Sequence, residues 1–366
     1  MAKSEQNRDL PNRLRVDGIE RAVRPRRRTP ARTQAVAGGN QERGMRIIVT
    51  GAGGFVGSRL VARLADHDVV ALDQDAGGIP DLPHVTGLAG DLCDPAVLEA
   101  AMHGGCDAVV HLATVPGGAA EQQPGLARRV NVDASMALAD AAAGAGEQPR
   151  FVFASSIAVF GAPLPASVDD STPVSPTLRY GAHKAMMELW ISTLTRRGAI
   201  DGLSLRLPGV VARPRGPSGM KSAFLSDVFH AMVSGESCTL PVSAGATSWL
   251  ISVECAAANL VHALRADLTK APPSRALTLP ALRVSMSDLL SEIARQTSVS
   301  TAAVSYRPDS DIEATFGALP PLRTDAANAL GFDNDGDLTG LVARVLELLA
   351  RSGSRPRDFL FRSPER

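Results

Sequence analysis

The sequence has few cysteines, few aromatic residues and no long hydrophobic run. Aromatic residues make up 4% of the 366 residues, whereas 45% are hydrophobic, which leaves ample chain for a buried core. No run of about 18 apolar residues occurs, which excludes a transmembrane helix. The cysteines are far apart and form no Cys-x-x-Cys pair, so we expect no metal site and favour a reduced, cytoplasmic protein. They are Cys93, Cys106, Cys238 and Cys255.

Net charge is also absent, because 38 basic side chains balance 38 acidic ones. Residues 1–44 nevertheless carry Lys3 and ten arginines against five acids, or +6, so the remainder carries −6. This leader lacks hydrophobic periodicity and is interrupted by proline and glycine, which predicts disorder, as does the Arg-rich tail 351–366.

Three functions remain open for the leader: an arm for nucleic acid or a membrane surface, an organelle transit peptide, or an inert extension. We favour the inert extension, because its acids weaken the transit hypothesis and Met45, itself a candidate first residue, opens a self-sufficient domain. We therefore expect neither nucleic acid nor a membrane as a partner.

From Met45 onward, short apolar runs rich in β-branched residues alternate with segments of helical periodicity. This alternation predicts a doubly wound α/β fold, a parallel sheet covered by helices on both faces. The predicted strands are 46–49, 69–72, 108–113, 150–154 and 204–207, and the predicted helices are 58–66, 94–103, 130–144 and 180–197.

Beyond about Pro214 helices predominate, which predicts a smaller mixed α/β lobe that closes over a substrate. We place the nucleotide-binding domain at 45–214 and a mainly substrate-binding lobe at 215–350. The lobe's predicted helices are 223–233, 253–264, 286–296 and 338–349, and its predicted strands are 276–279 and 303–306.

A glycine-rich turn connects the first predicted strand to the first helix, with the sequence Thr50-Gly-Ala-Gly-Gly-Phe-Val-Gly57. Gly51 permits the tight turn, Gly54 lets the backbone approach a pyrophosphate, and Gly57 lets the helix pack closely on the strand. The helix N-terminus then offers free N–H groups to phosphate. An ordinary tight turn is the alternative, but the strand–turn–helix context favours a dinucleotide site.

Asp73 ends the next predicted strand, where its carboxylate can accept hydrogen bonds from both adenosine ribose hydroxyls. It would repel a 2′-phosphate, and no Arg or Lys follows in residues 74–82. The cofactor is therefore predicted to be NAD rather than NADP. Asp91 follows another strand end and either accepts from the adenine amino group or caps the helix that opens at Asp94. His111, at a further strand end, is expected to be structural.

Tyr180 and Lys184 lie at i and i+4 of one predicted helix and therefore share a face. A nearby ammonium favours the phenolate, which makes Tyr180 a candidate general base and Lys184 a candidate ligand of the nicotinamide ribose. A hydroxyl at Ser155-Ser156 can orient the reacting oxygen, and we choose Ser156. Asn131 either supports Lys184 or is a plain buried asparagine.

Taken together, these motifs resemble the extended short-chain dehydrogenase/reductase superfamily over nearly all of residues 45–350. Within it the chain is similar to the D-erythronate dehydrogenase group, through Ser155 to Gly161, Arg213-Pro214 and Leu240-Pro241-Val242. The resemblance implies an NAD-dependent enzyme that oxidises a secondary hydroxyl of a small sugar acid, and a homodimer formed through two helices per subunit, including the one that bears Tyr180. It implies these further cofactor-binding residues: Phe55, Val56, Leu92, Leu112, Ala113, Asn131 and Pro208.

The chain departs from the group at His230-Ala231-Met232, where the family usually has Arg-Glu-Pro. If that arginine holds the substrate carboxylate, then a protonated His230, Arg213, Arg215 or Lys221 must replace it.

A nucleotide-sugar epimerase or dehydratase is the alternative function. Those enzymes generally have an asparagine and an arginine for the substrate diphosphate where this chain has Pro208-Gly209 and Ser248-Trp249, and dehydratases have an acid where Ile157 stands. A non-catalytic NAD-binding regulator is the third hypothesis, and the retained Tyr180, Lys184 and Ser156 oppose it.

Overall fold

The computed structural model describes residues 44–216 and 220–351. The disorder predicted for the leader and the tail falls on residues outside these ranges, apart from Gly44 and from Arg351, which ends α12. The strands are β1 (Arg46–Thr50), β2 (Asp68–Asp73), β3 (Val85–Ala89), β4 (Ala108–His111), β5 (Arg150–Ser156), β6 (Asp201–Leu207), β7 (Gly209–Val211), β8 (Cys238–Leu240), β9 (Thr247–Ser252), β10 (Ala276–Thr278), β11 (Leu282–Ser285) and β12 (Val304–Tyr306).

The helices follow the predicted segments closely in the second half of the chain and less closely in the first. They are α1 (Phe55–Val61), α2 (Pro95–Met102), α3 (Gly117–Gln122), α4 (Pro124–Arg128), α5 (Ser135–Ala145), α6 (Arg179–Arg196), α7 (Phe224–Ser234), α8 (Val253–Ala263), α9 (Met286–Thr297), α10 (Ser310–Ile312), α11 (Asp325–Ala329) and α12 (Leu338–Arg351). In the described ranges, no helix is long and apolar enough to cross a membrane.

Seven of these strands form one parallel sheet in the order β3-β2-β1-β4-β5-β6-β10. The strand order reverses beside β1, so the carboxyl ends of β1 and β4 open a crevice at the switch point. The predicted doubly wound fold is confirmed. Two small sheets, β11-β9-β7 and β12-β8, lie in the second half of the chain.

Two hydrophobic layers cover the faces of the large sheet. One layer packs α1 and α8 on the sheet through residues such as Leu60, Val61 and Leu260, and the other packs α2, α5 and α6 through Leu98, Leu138 and Met187. A separate cluster joins α7, α9 and α12 around Leu250 of β9.

Local sequence explains where several helices begin and end. Asp94 caps α2 by accepting a hydrogen bond from the Ala96 N–H, and Pro95 occupies the first turn, as the sequence predicted. Ser285 caps α9 in the same way, through the Asp288 N–H. Gly235 ends α7 at φ 69°, in the left-handed conformation that glycine adopts without strain.

The helix predicted at 58–66 is misplaced, because α1 begins at Phe55 and ends at Val61. Gly54 precedes it with extended backbone, so the helix starts directly at the glycine-rich turn. Residues 62–64 leave the helix through tighter bonds, from the Arg63 N–H to the Leu60 carbonyl and from the Leu64 N–H to the Val61 carbonyl. The helix predicted at 130–144 likewise divides into a π-helical turn, Arg129–Ala134, and α5.

The second half of the chain contributes to the large sheet as well as to its own lobe. Strand β10 pairs with β6 at the sheet edge, and α8 lies against α1 in the layer that covers β1. The predicted strand 276–279 and helix 253–264 thus exist, but they pack with the nucleotide-binding half.

Candidate active site

A cavity of about 870 Å³ opens at the carboxyl ends of the parallel strands, between the large sheet and the segment around α7. Its walls include the glycine-rich turn, the ends of β2, β4 and β5, the first turns of α6 and α7, and residues 315–319. This is the position at which open α/β sheets bind ligands.

The glycine-rich turn has the geometry of a dinucleotide cradle. Gly51 has φ +69°, and a Cβ there would lie 2.8 Å from the Ala113 amide nitrogen. A Cβ at Gly57 would collide with the Gly51 carbonyl oxygen. Gly51, Gly54, Phe55, Val56 and Gly57 all line the cavity at the N-terminus of α1, so free N–H groups face it.

Asp73 lies at the cavity wall at the end of β2. Its Oδ2 accepts a hydrogen bond from the Gly53 N–H at 2.9 Å, which ties the strand end to the glycine-rich turn. The carboxylate is therefore held in place and retains lone pairs for ribose hydroxyls. The negative charge of the Asp73 carboxylate would repel a 2′-phosphate.

Asp91 and Leu92 line the same end of the cavity. The Asp91 side chain accepts from the Cys93 N–H at 2.9 Å, whereas α2 is capped by Asp94. The helix-cap alternative for Asp91 is therefore wrong.

Leu112 and Ala113 line the cavity after β4, but Asn131 lies behind this wall. The Asn131 side chain is 2% exposed, accepts from the Val115 N–H at 2.7 Å and donates to the Val115 carbonyl at 2.9 Å. It thus anchors the loop 114–116, as a buried structural asparagine does, and the alternative in which Asn131 supports Lys184 stays a prediction. His111 is fully buried between Thr50 and Ser135, and burial lowers its pKa to about 3, so it is neutral and structural.

Helix α6 begins at Arg179, so Tyr180 and Lys184 lie one turn apart on the face that meets β5. The Lys184 Nζ donates to the Ala154 carbonyl at 2.7 Å and lies 5.5 Å from the centroid of the Tyr180 ring. Burial lowers the pKa of Lys184 to about 7, and the charge of Glu188 opposes this shift.

The two neighbouring serines have different environments at the end of β5. The Ser155 hydroxyl donates to the Glu188 carboxylate at 2.5 Å and is 2% exposed. The Ser156 hydroxyl accepts from the Ala158 N–H at 3.1 Å, and its polarity lowers the pKa of the Tyr180 phenol. The Ser155 hydroxyl is therefore engaged behind the site, and Ser156 faces the phenol.

Burial raises the pKa of Tyr180, whereas the positive charge of Arg213 and the Ser156 hydroxyl lower it. Burial lowers the pKa of Arg213, and the Tyr180 phenolate raises it. The cation that acts on the phenol in this arrangement is therefore Arg213, which follows β7, and the action predicted for Lys184 stays a prediction.

Of the predicted substrate residues, Arg213 and Lys221 line the cavity and His230 does not. The His230 Nε2 instead hydrogen-bonds the Arg213 backbone carbonyl at 2.8 Å, because α7 turns this side chain toward the segment after β7. The expectation that His230 replaces the family arginine is therefore corrected to a structural contact that holds Arg213's backbone. Pro208, predicted to contact the cofactor, lies in the cavity wall.

Several lining residues were not predicted. Thr114, Val115 and Glu121 follow β4. Because parallel sheets bind ligands beyond the carboxyl ends of their strands, the position of these residues in the sequence could have predicted them. The other unpredicted residues are Trp249, on β9, and Thr315, Phe316 and Leu319. No local sequence motif indicates that they belong to a site.

The glycine-rich cradle, Asp73 and the group formed by Ser156, Tyr180 and Lys184 define an enzyme that uses a dinucleotide cofactor. The chain belongs to the NAD dependent epimerase/dehydratase family, whose sequence profile matches residues 47–272. The predicted family and NAD as cofactor are confirmed.

Two curated relatives match almost their whole length. D-erythronate dehydrogenase of Cupriavidus necator is 34% identical over 318 residues, covering 83% of this chain and 98% of the relative. D-erythronate dehydrogenase of Haemophilus influenzae is 30% identical over 315 residues, covering 83% and 99%. The crystal structure of a nucleoside-diphosphate-sugar epimerase from Agrobacterium tumefaciens superposes with TM-score 0.76 at 30% identity, covering 86% and 98%.

Proposed function

We propose that this protein is an NAD-dependent dehydrogenase that oxidises a secondary hydroxyl of a small sugar acid resembling D-erythronate. The observation that carries this proposal is that Tyr180, Ser156 and Arg213 line one cavity with the dinucleotide cradle. A base, an orienting hydroxyl and a cation for a carboxylate are what the oxidation of a hydroxy acid requires. The two D-erythronate dehydrogenases support the same substrate class.

In this mechanism, Tyr180 removes the proton of the substrate hydroxyl. Ser156 donates a hydrogen bond that positions the reacting oxygen, and Lys184 and Arg213 stabilise the phenolate. Bound NAD would supply the acceptor for the hydride of the carbinol carbon. Arg213 holds the substrate carboxylate, with Lys221 at the rim. The residues assigned to the cofactor are Gly51, Gly54, Phe55, Val56, Gly57, Asp73, Asp91, Leu92, Leu112, Ala113, Lys184 and Pro208, with Asn131 behind them.

The cavity wall formed by Ser248, Trp249 and Leu319 favours a small substrate. Trp249 is 1% exposed, and its Nε1 donates to the Pro320 carbonyl at 2.7 Å. Ser248 is bonded to the Phe316 carbonyl, and Leu319 packs beside Trp249. The apolar Trp249 ring and the hydrogen-bonded Ser248 hydroxyl therefore occupy the place where the diphosphate of a nucleotide sugar would need cationic side chains.

We place the enzyme in the cytoplasm as a homodimer. Met186 and Leu189, on the outer face of α6, are 51% and 70% exposed, and such large apolar side chains on one helix favour a self-complementary helical interface. We assign residues 45–214 to the NAD-binding domain and 215–350 mainly to the substrate lobe, with α8 and β10 as the parts that return to the first domain.

The test is Tyr180→Phe, assayed by NADH formation on erythronate, threonate and longer aldonic acids. Turnover should fall by about 10² to 10⁴ while NAD binding, measured by calorimetry, is unchanged. The matched control is Tyr306→Phe, which alters the other tyrosine, 37% exposed on β12. Full turnover in Tyr180→Phe would refute the mechanism, and no turnover of any substrate by the native enzyme would favour a non-catalytic NAD-binding regulator.

A nucleotide-sugar epimerase is the second candidate, favoured by the structural likeness to the Agrobacterium tumefaciens protein. UDP-sugars tested beside the acids distinguish the two functions. Turnover of a UDP-sugar, with none of any acid, would replace our proposal by this one.

A further inference from the structure

A buried charged cluster lies directly behind the proposed catalytic residues. Glu188 on α6 is 5% exposed and Arg206 on β6 is 7% exposed. The Arg206 Nε and Nη2 donate to the two Glu188 carboxylate oxygens at 2.9 and 2.8 Å, and the Ser155 hydroxyl donates to one of them at 2.5 Å. The carboxylate thus connects one helix to two neighbouring strands.

Each partner in this cluster is adjacent to the proposed site. Tyr180, Lys184 and Glu188 follow one another at intervals of four residues on α6, so they share a helix face. Ser155 immediately precedes Ser156, and Arg206 lies on β6 two residues before Pro208. A displacement of the Glu188 carboxylate would therefore reach the base, the orienting hydroxyl and the cofactor wall together.

The charge of Glu188 has a second consequence, because Lys184 is buried and its Nζ donates to a neutral carbonyl. The charged or titratable groups that face Lys184 are Tyr180 and His183 on its own helix, Glu188 and His111. His111 on β4 is neutral, and Arg206 is paired with Glu188. In the described residues, Glu188 is the carboxylate whose charge raises the pKa of Lys184 against the effect of burial.

We infer that Glu188 is a positioning residue for the reaction, whose carboxylate acts on Lys184 from the next turn of α6 and fixes the strand end that carries Ser156. The inference rests on the proposed function, in which Lys184 stabilises the phenolate. It assigns Glu188 a role through Lys184 and Ser156, without contact to substrate or cofactor.

The experiment measures the ionisation of Lys184 directly, so it does not depend on turnover. The chain has four lysines, Lys3, Lys184, Lys221 and Lys270, so ¹³C-lysine labelling gives few resonances, and Lys184→Met assigns the relevant one. In Glu188→Gln, which keeps the size of the side chain, the titration midpoint of Lys184 should fall by about one pH unit or more. Turnover near pH 7 should fall about fivefold or more, because the protonated fraction of Lys184 falls from about one half to about one tenth or less.

Two further variants separate charge from packing. Ser155→Ala removes one hydrogen bond but leaves the charge, so the Lys184 midpoint should move much less than in Glu188→Gln. Glu254→Gln removes a surface partner of Arg63, remote from the cavity, and should move neither midpoint nor turnover. If Glu188→Gln does not fold because Arg206 is left unpaired, the double variant Glu188→Met with Arg206→Met removes both charges and should still lower the midpoint.

An unchanged Lys184 midpoint in a folded Glu188 variant would overturn the inference, even if turnover falls, because only a structural role would then remain. The proposed function fails by a different result, full turnover in Tyr180→Phe, so the two failures are distinguishable.

Discussion

Replacing Arg213 by methionine tests the substrate class most directly. The side chain lines the cavity with Tyr180 and acts electrostatically on it, and no acidic partner of Arg213 occurs among the described residues. We expect it to contribute a charged hydrogen bond to the substrate carboxylate, worth about 1.5–3 kcal/mol. At about 1.4 kcal/mol per factor of ten, Arg213→Met should lower kcat/KM for erythronate by about 10- to 150-fold.

The loss of activity in Arg213→Met has a second cause, a change in the pKa of Tyr180. The Arg213 charge lowers the pKa of Tyr180, so its removal raises that pKa. The phenolate then forms at higher pH, and the rising limb of kcat/KM shifts upward in pH. The raised pKa of Tyr180 affects the turnover of every substrate, whereas loss of the carboxylate contact affects only acidic substrates.

The assay therefore compares erythronate with the uncharged polyol erythritol, each across pH, for native enzyme, Arg213→Met, Arg213→Lys and Lys221→Met. The lysine variant should recover part of the acid activity, since it keeps the charge but loses the planar fork. Lys221 is exposed, so its removal should cost less than about 1 kcal/mol. Equal losses on erythronate and erythritol would refute a carboxylate contact at Arg213.

Three other changes test the cofactor site and its support. Asp73→Asn should raise kcat/KM with NADP relative to NAD, because the carboxylate that repels a 2′-phosphate is gone; an unaltered ratio from paired NAD and NADP assays would contradict this role. Gly57→Ala places a Cβ 2.9 Å from the Ala52 Cα and against the Gly51 carbonyl, so thermal unfolding should show a loss of about 1–3 kcal/mol together with weaker NAD binding. His111 stays neutral when folded but becomes protonated when unfolded below its usual pKa of 6.5, so native stability should fall as pH drops, by about 3 kcal/mol at pH 4. Urea unfolding of His111→Gln should lack this component, and parallel stability curves would show that the burial argument is wrong.

The sequence predicted best the parts of the site that are contiguous in the chain. The glycine-rich turn spans eight residues, and Tyr180 and Lys184 lie one helical turn apart on α6. Local backbone geometry alone therefore brings the residues of each motif together. Asp94 also caps α2 as expected, because capping depends on the next few residues.

The predictions that failed depend on contacts between distant segments. His230 lies on α7, whose first turn lines the cavity, but its side chain hydrogen-bonds the Arg213 carbonyl, which periodicity does not reveal. Strand β3 is mostly exposed at the sheet edge, so no apolar run marks it. The partner of Ser155, Glu188, is 33 residues away, and only the packing of α6 on β5 brings the two together.

The cavity wall that contains Trp249 explains why the substrate is harder to predict than the cofactor. Three hydrogen bonds hold strands β9 and β11 to the segment around Leu319. The Trp249 Nε1 donates to the Pro320 carbonyl. The Thr247 hydroxyl and the Arg283 Nε both donate to the Leu319 carbonyl, each at 2.8 Å. These contacts join residues at least 36 positions apart and contain no cofactor motif. The wall can therefore change between relatives while the cradle and the Tyr180–Lys184 pair stay the same. A substrate assignment for this chain consequently depends on Arg213 and this wall, and the motifs that identify its family leave that choice open.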